Sequence, residues 1–173
     1  MACAFRGAGS GAEEGFLEGA GGARIFYRVV GTGAETAVAV HGGPGAGMNA
    51  FFSDLLPLAA GYRVIFYDQR GGGRSDLPAD TALLDARHHV EDLEAVRRHF
   101  GLERMSVVAH SFGPSESDVA GVAPQREWVD AFPNARLLLV PDAGKGALAD
   151  RPDVVFPAIE EFLKGEWPAA AVR

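Results

Sequence analysis

Ala109-His110-Ser111-Phe112-Gly113 sets a serine between small residues two positions before it and two after. That is the spacing of a sharp strand-to-helix turn that exposes a nucleophilic hydroxyl, because larger flanking residues would clash in so tight a bend. The chemistry such a serine serves is acyl transfer, which needs a base for its proton and backbone N–H groups for the oxyanion that forms on attack. A second segment suits the oxyanion role: His41-Gly42-Gly43-Pro44-Gly45 directly follows the apolar run Thr36 to Val40. Glycines let an amide approach a substrate oxygen closely, and each such donor contributes roughly 3 to 4 kcal/mol to the transition state. Gly43 and Phe112 are the candidate donors, and His41 itself reads as structural.

The base is harder to find. All five histidines, at positions 41, 88, 89, 99 and 110, precede Ser111, whereas the usual chain order puts acid and then base after the serine. His88 and His89 are adjacent on one helix and so do not share a face, which argues against a metal pair. None of the five is read as the base. A third glycine-rich segment, Asp68-Gln69-Arg70-Gly71-Gly72-Gly73-Arg74-Ser75, follows the run Tyr62 to Tyr67. It lacks the Gly-Lys-Ser/Thr of a phosphate loop, and its arginines are expected to brace neighbouring loops through charged hydrogen bonds. No motif calls for a metal or a cofactor.

The elements that must position these groups are legible from periodicity. Phe16 to Glu18 and Ala23 to Val30 flank Gly19-Ala20-Gly21-Gly22 and predict an antiparallel hairpin. Thr36 to Val40 and Tyr62 to Tyr67 are nearly uniform apolar runs, the pattern of parallel strands buried on both faces. Thr81 to Phe100 carries Leu83, Ala86, Val90, Leu93, Val96 and Phe100 at helical spacing, with Gly101 as a stop. Met105 to Ala109 is then a buried strand that runs into the serine, which completes a strand-helix-strand crossover. Beyond Gly113 the pattern thins to a short helix near Pro124 to Ala131, a last strand Arg136 to Val140, and a helix capped by Asp153 with Pro157 in its first turn. The fold class is α/β, with a mostly parallel central sheet, an N-terminal antiparallel hairpin and helices on both faces. Residues 1–14 read as a flexible arm and 15–173 as a single domain.

Composition narrows the function classes. With 173 residues, 47% of them apolar, and a formal charge of −7, the chain can build a real core but offers no basic cluster for a phosphate backbone. A nucleic-acid partner is excluded on that ground. No apolar run approaches the ~20 residues that span a bilayer, and the lone Cys3 cannot form an internal disulfide. A cytoplasmic protein without a membrane partner is expected.

In this order and at these spacings, HGGPG, DQRGGGRSD and AHSFG resemble the proline iminopeptidase branch of the α/β-hydrolase superfamily, from about Gly15 to Gly113. A second stretch, Glu116-Ser117-Asp118 and then Phe132 to Gly144, resembles that family's acid loop and final strand. The resemblance implies a shortened α/β-hydrolase fold with Ser111 as nucleophile and Asp118 as the triad acid, and it puts Lys145 where the family has its histidine. It also implies a loss between elbow and acid loop: a helix, two sheet strands and the cap domain that covers the site. Peptide or amide cleavage at an N-terminal proline is the family's activity. Without a cap, small esters are expected ahead of peptides, with activity impaired by the missing histidine.

Lys145 could serve as base only as a neutral amine, and lowering a lysine pKa from about 10.4 to about 7 costs about 4 to 5 kcal/mol. Its setting between Gly144 and Gly146, three residues from Asp142, favours the charged form and a solvated loop lysine. Pairing of Arg136 to Val140 with Met105 to Ala109 would bring Lys145 close to Ser111. The alternative to a hydrolase is a catalytically silent relative. In that case the sheet edge exposed by the missing strands pairs with a second copy of the chain.

Overall fold

Five short strands build the sheet, and the residues of its central strands are buried on alternate faces. The computed structural model describes residues 12–43, 45–109, 129–130, 134–143 and 147–172. Its strands are β1 (Glu13–Glu18), β2 (Arg24–Val30), β3 (Thr36–Val40), β4 (Arg63–Tyr67) and β5 (Ser106–Ala109). They form one sheet in the order β1-β2-β4-β3-β5. The β1–β2 and β2–β4 pairs are antiparallel, and β4–β3 and β3–β5 are parallel. The hairpin turns through Gly21 and Gly22, whose φ values of 65° and 79° suit glycine.

Side chains alternate across the sheet as the two-residue period demands. Ala37, Ala39, Val64 and Phe66 point to one face, where Leu55 of α1 (Phe52–Leu55), Leu148 of α3 (Ala147–Asp150) and Val155, Ile159 and Leu163 of α4 (Pro152–Leu163) close over them. Val38, Val40, Ile65 and Tyr67 point to the other, against Leu93 and Val96 of α2 (Ala86–His99). Helices thus lie on both faces of a mostly parallel sheet. Among the described residues, no helix is long and apolar enough to cross a membrane.

Several boundaries differ from the sequence reading. β1 starts at Glu13, so Glu13 and Glu14, read as part of the arm, pair with Val29 and Arg28. Arg28 also holds the Glu14 carboxylate, which explains how a charged pair extends the strand. The run Thr81 to Phe100 is broken at Asp85: a 3-10 turn spans Thr81–Leu84, and the Asp85 carboxylate caps α2 by accepting the His88 N–H at 2.9 Å. An aspartate cap competes successfully with helix continuation.

The C-terminal part departs further. The last strand, β6, is only Leu137–Leu138 and pairs antiparallel with β7 (Ala171–Val172), not with the central sheet. Ala171 and Val172 provide a local partner that the sequence reading left unassigned. α4 begins at Pro152, so Asp153 lies in its first turn, paired with Arg151, rather than at the cap, and Pro157 falls inside the helix. Of the helix expected near Pro124 to Ala131, residues 129–130 are helical and the rest lies outside the described residues.

One ion pair fastens α2 to the loops. The Arg70 guanidinium meets both oxygens of Asp92, Nε to Oδ2 at 2.6 Å and Nη2 to Oδ1 at 2.7 Å, with side chains 2% and 1% exposed. Arg70 also donates to the carbonyls of Ala20 and Leu83, and Asp92 accepts the Ala20 N–H at 2.8 Å. The hairpin turn, the loop after β4 and α2 therefore share one buried charge network, in which the Asp92 carboxylate holds Arg70 firmly in its charged form. A Cβ at Gly19 would stand 2.4 Å from Asp92 Oδ1, so the close approach requires glycine there. Asp92→Ala is expected to lower stability in urea unfolding by about 3 to 5 kcal/mol, because it leaves a buried charge unpaired. The double change Arg70→Met with Asp92→Leu should recover most of that loss.

Candidate active site

Because β3, β4 and β5 run parallel, the loops that follow them emerge at one end of the sheet. Val40 is in register with Tyr67 on one side and with Ala109 on the other. The chain therefore leaves these three strands side by side, into the segments that begin at His41, Asp68 and His110. Of the residues singled out from the sequence, His41, Gly42, Gly43, Gly45, Asp68, Gln69 and Arg70 are gathered at this end. Pro44, Ser111, Phe112, Asp118 and Lys145 lie outside the described residues.

His41 ties the first two loops together. Its buried ring accepts the Gln69 N–H at Nε2 (3.0 Å), so Nδ1 carries the proton and donates to the Gly42 carbonyl at 3.0 Å. The Gln69 carboxamide donates back to the His41 carbonyl. Burial pushes the imidazole below its ordinary pKa, which keeps this tautomer neutral. Both ring nitrogens are thus committed to backbone groups.

Asp68 makes a second tie. Its buried carboxylate accepts the Met48 N–H at 2.7 Å and the Arg74 N–H at 2.8 Å, clamping the far end of the 41–47 loop to the 68–76 loop. A Cβ at Gly73 would lie 2.2 Å from that carboxylate, and its φ of +53° is a second reason for glycine. Beyond the β2–β4 ladder the 68–76 loop keeps pairing with β2: Asp68 N–H donates to Phe26 O, Phe26 N–H to Ser75 Oγ, and Asp76 N–H to Arg24 O. Gly43 and Gly45 both take φ of 78°, and the Ala46 N–H returns to Gly43 O at 3.0 Å, forming a tight turn. Among the described residues the Gly43 N–H has no acceptor.

Between these loops and α2 lies a cavity of about 50 Å³. Gly43, Gly45, Gln69, Gly71 and His41 line it, and α2 contributes His89. His89 was set aside in the sequence as a helix neighbour of His88. The structure divides the two: His88 meets the Asp85 carboxylate near the surface, whereas His89 is 7% exposed. Together with Asp92, Leu93 and Val96 it forms the inward stripe of α2. That spacing of three and four was the available signal, masked because two of the stripe's members are polar. Burial, reinforced by Arg70 and His41, holds His89 below the ordinary imidazole range against the opposing pull of Asp92 and Asp85.

A depressed histidine stabilises the fold at pH values above its unfolded value. As pH falls below about 6.5 the unfolded chain takes up protons that the folded chain refuses, and stability is lost down through the folded pKa. With both His41 and His89 depressed, urea unfolding should show stability falling from pH 7 toward 5. Removing one of these imidazoles, as in His41→Gln, should flatten that slope by at most about 1.4 kcal/mol per pH unit.

Comparison with known proteins accords with this arrangement. Residues 38–113 match the model of the α/β-hydrolase fold family. The chain is 39% identical over 101 residues to a proline iminopeptidase of Heyndrickxia coagulans, covering 58% of this chain and 35% of that protein. A proline iminopeptidase-related protein of Thermus thermophilus superposes with a TM-score of 0.53 at 33% identity, over 58% of this chain and 36% of that one. An epoxide hydrolase from an endophytic Streptomyces gives 0.53 at 38% identity, over 60% and 30%. The chain spans about a third of the length of these relatives. Over the part of its length that they cover, the chain is thus similar to the α/β-hydrolase fold family and to proline iminopeptidases within it.

Proposed function

We propose that the chain is a serine hydrolase in which Ser111 attacks the carbonyl of a small ester, or of a peptide or amide. The observation that supports this reading is the register of Val40 with Ala109, which brings the end of β5, two residues before Ser111 in the chain, beside the end of β3, from which the Gly43 turn follows. In the proposed step the Ser111 oxygen bonds to the carbonyl carbon and its proton passes to a base. The carbonyl electron pair moves to the oxygen, which the N–H groups of Gly43 and Phe112 stabilise. Collapse of this intermediate expels the amine or alcohol, and water releases the acyl group. Asp118 is the proposed acid of the machinery. His41, Gly42, Pro44, Gly45, Asp68, Gln69 and Arg70 are proposed to shape the loops rather than to touch substrate, which accords with the hydrogen bonds of the described ones. With Lys145 at the family's histidine position, turnover is expected to be well below that of a complete triad.

A fluorophosphonate probe and a chromogenic short-chain ester test the reading. Ser111→Ala should abolish labelling and lower ester turnover by at least about a hundredfold. Equal labelling and equal turnover in the wild type and in Ser111→Ala would reduce the hydrolase assignment to ancestry.

A second reading is favoured by the position of β5, which is the last strand of the sheet among the described residues. It is a catalytically silent relative that pairs with a second copy along that edge. Sedimentation should then give a dimer whose fraction rises with concentration, and a clean monomer at high concentration would dismiss it.

A further inference from the structure

The cavity beside the Gly43 turn presents less polarity than its residues suggest. Both ring nitrogens of His41 are engaged by backbone groups, and the Arg70 guanidinium is held by Asp92, Ala20 and Leu83. Gln69 Oε1 and His89 Nδ1 are sealed from water, so neither is offered to a ligand entering the space. Of the backbone donors around it, Ala46 N–H goes to Gly43 O, Gly71 N–H to Asp76 O and Gly72 N–H to Gln69 O. What remains among the described residues is the bare backbone of Gly43, Gly45, Gly71 and Gly72, the Ala46 methyl and the Leu84 isobutyl group. Beside this apolar lining stands a donor without an acceptor among the described residues, the Gly43 N–H. The volume of about 50 Å³ is roughly a third of a cavity that holds benzene, so the space suits about two carbons. A Cβ on Gly71 would stand 2.8 Å from Leu84 Cδ2 and 3.6 Å from Leu77 Cδ1, so the two leucines flank Gly71, and Leu77 is 72% exposed. Truncating Leu84 would therefore open the cavity toward Leu77.

We propose that this cavity is an acyl subsite for an acetyl or propionyl group, with the alkyl end against Leu84 and Ala46 and the carbonyl oxygen on the Gly43 N–H. Leu84 sets the chain length it accepts. The inference rests on the hydrolase reading given above and deepens it, because it names the acyl side of the substrate. A short alkyl group gains by leaving water for such walls, whereas a charged or hydroxylated group would give up its hydration without a partner in return. Longer acyl chains meet the Leu84 side chain. A prolyl group, a five-membered ring with a charged nitrogen, exceeds the space. Short-chain esters are therefore the substrate class that this end of the sheet fits.

Binding and turnover test it separately. For binding, ¹⁵N-labelled Ser111→Ala protein is titrated with acetone, 2-butanone and 2-heptanone, which carry the carbonyl and alkyl groups but have no bond to hydrolyse. The two short ketones should shift the amide resonances of Gly43, Gly45, Gly71 and Gly72 saturably, and 2-heptanone should not. With Leu84→Ala added, 2-heptanone should shift them as well. Ala46→Val, which narrows the space from another wall, should remove the short-ketone shifts and keeps the test open if melts show Leu84→Ala to be unfolded. For turnover, kcat/KM is measured with p-nitrophenyl acetate, propionate and hexanoate, each relative to its rate with hydroxide. The wild type should favour the short esters over hexanoate by at least about tenfold, and Leu84→Ala should lower that preference about tenfold. The exposed Leu83→Ala should leave it unchanged. Glycine amides that no short ketone moves, or a chain-length preference that Leu84→Ala does not alter in a protein whose turnover needs Ser111, overturn the subsite and leave the hydrolase reading intact. Saturable ketone shifts without Ser111-dependent turnover overturn the hydrolase reading and keep the cavity as a site for short carbonyl compounds.

Discussion

A guanidinium and a carboxylate removed from water together fix the geometry around the candidate site. The desolvation cost of Arg70 and Asp92 is recovered only with near-ideal pairing and with partners for the remaining polar atoms. The chain supplies both: two short contacts between the charges, two carbonyls for the arginine and one N–H for the aspartate. Such a pair tolerates little displacement. It therefore sets the rotation of α2 about its own axis, and with it the direction of His89 one turn earlier. The same pair seats the loop after β4, from which Gln69 reaches His41.

Regular structure was legible wherever a single periodicity dominated. β3 follows its apolar run residue for residue, and β4 differs by one residue at its start. Both strands are buried on both faces, so no polar position interrupts the signal. Less legible were places where a local side-chain contact decided a boundary. Asp85 ends one helical segment and starts another, and Glu14 joins β1 through Arg28. β6 could not be placed from its own composition, because its partner lies more than thirty residues away and is only Ala171–Val172.

The glycine motifs pointed correctly to the end of the sheet where they gather, since parallel strands deliver their following loops together. The division of labour within them was only partly visible. That the arginines brace loops followed from their setting, and Arg70 does so. That Asp68 holds Met48 and Arg74, and that Gly73 must be glycine to make room for it, follows from contacts across loops. His89 was hidden for a related reason: a polar residue on an inward stripe looks like an interruption of the stripe until its neighbours are known.

The clamp that Asp68 makes with Met48 also bears on how the site forms in time. The 41–47 loop is held in part from outside itself: its end is fastened by Asp68, a residue after β4, and the β3 edge beside it is filled by β5, in register from Ala37–Ser106 to Val40–Ala109. Contacts this distant in sequence must close long loops before they are rewarded, which makes them late events in folding. The Gly43 turn is thus not ordered by its own contacts alone. Its order is conferred by completion of the sheet, and local opening of β5 would dissolve it while the β1–β2 hairpin stayed folded.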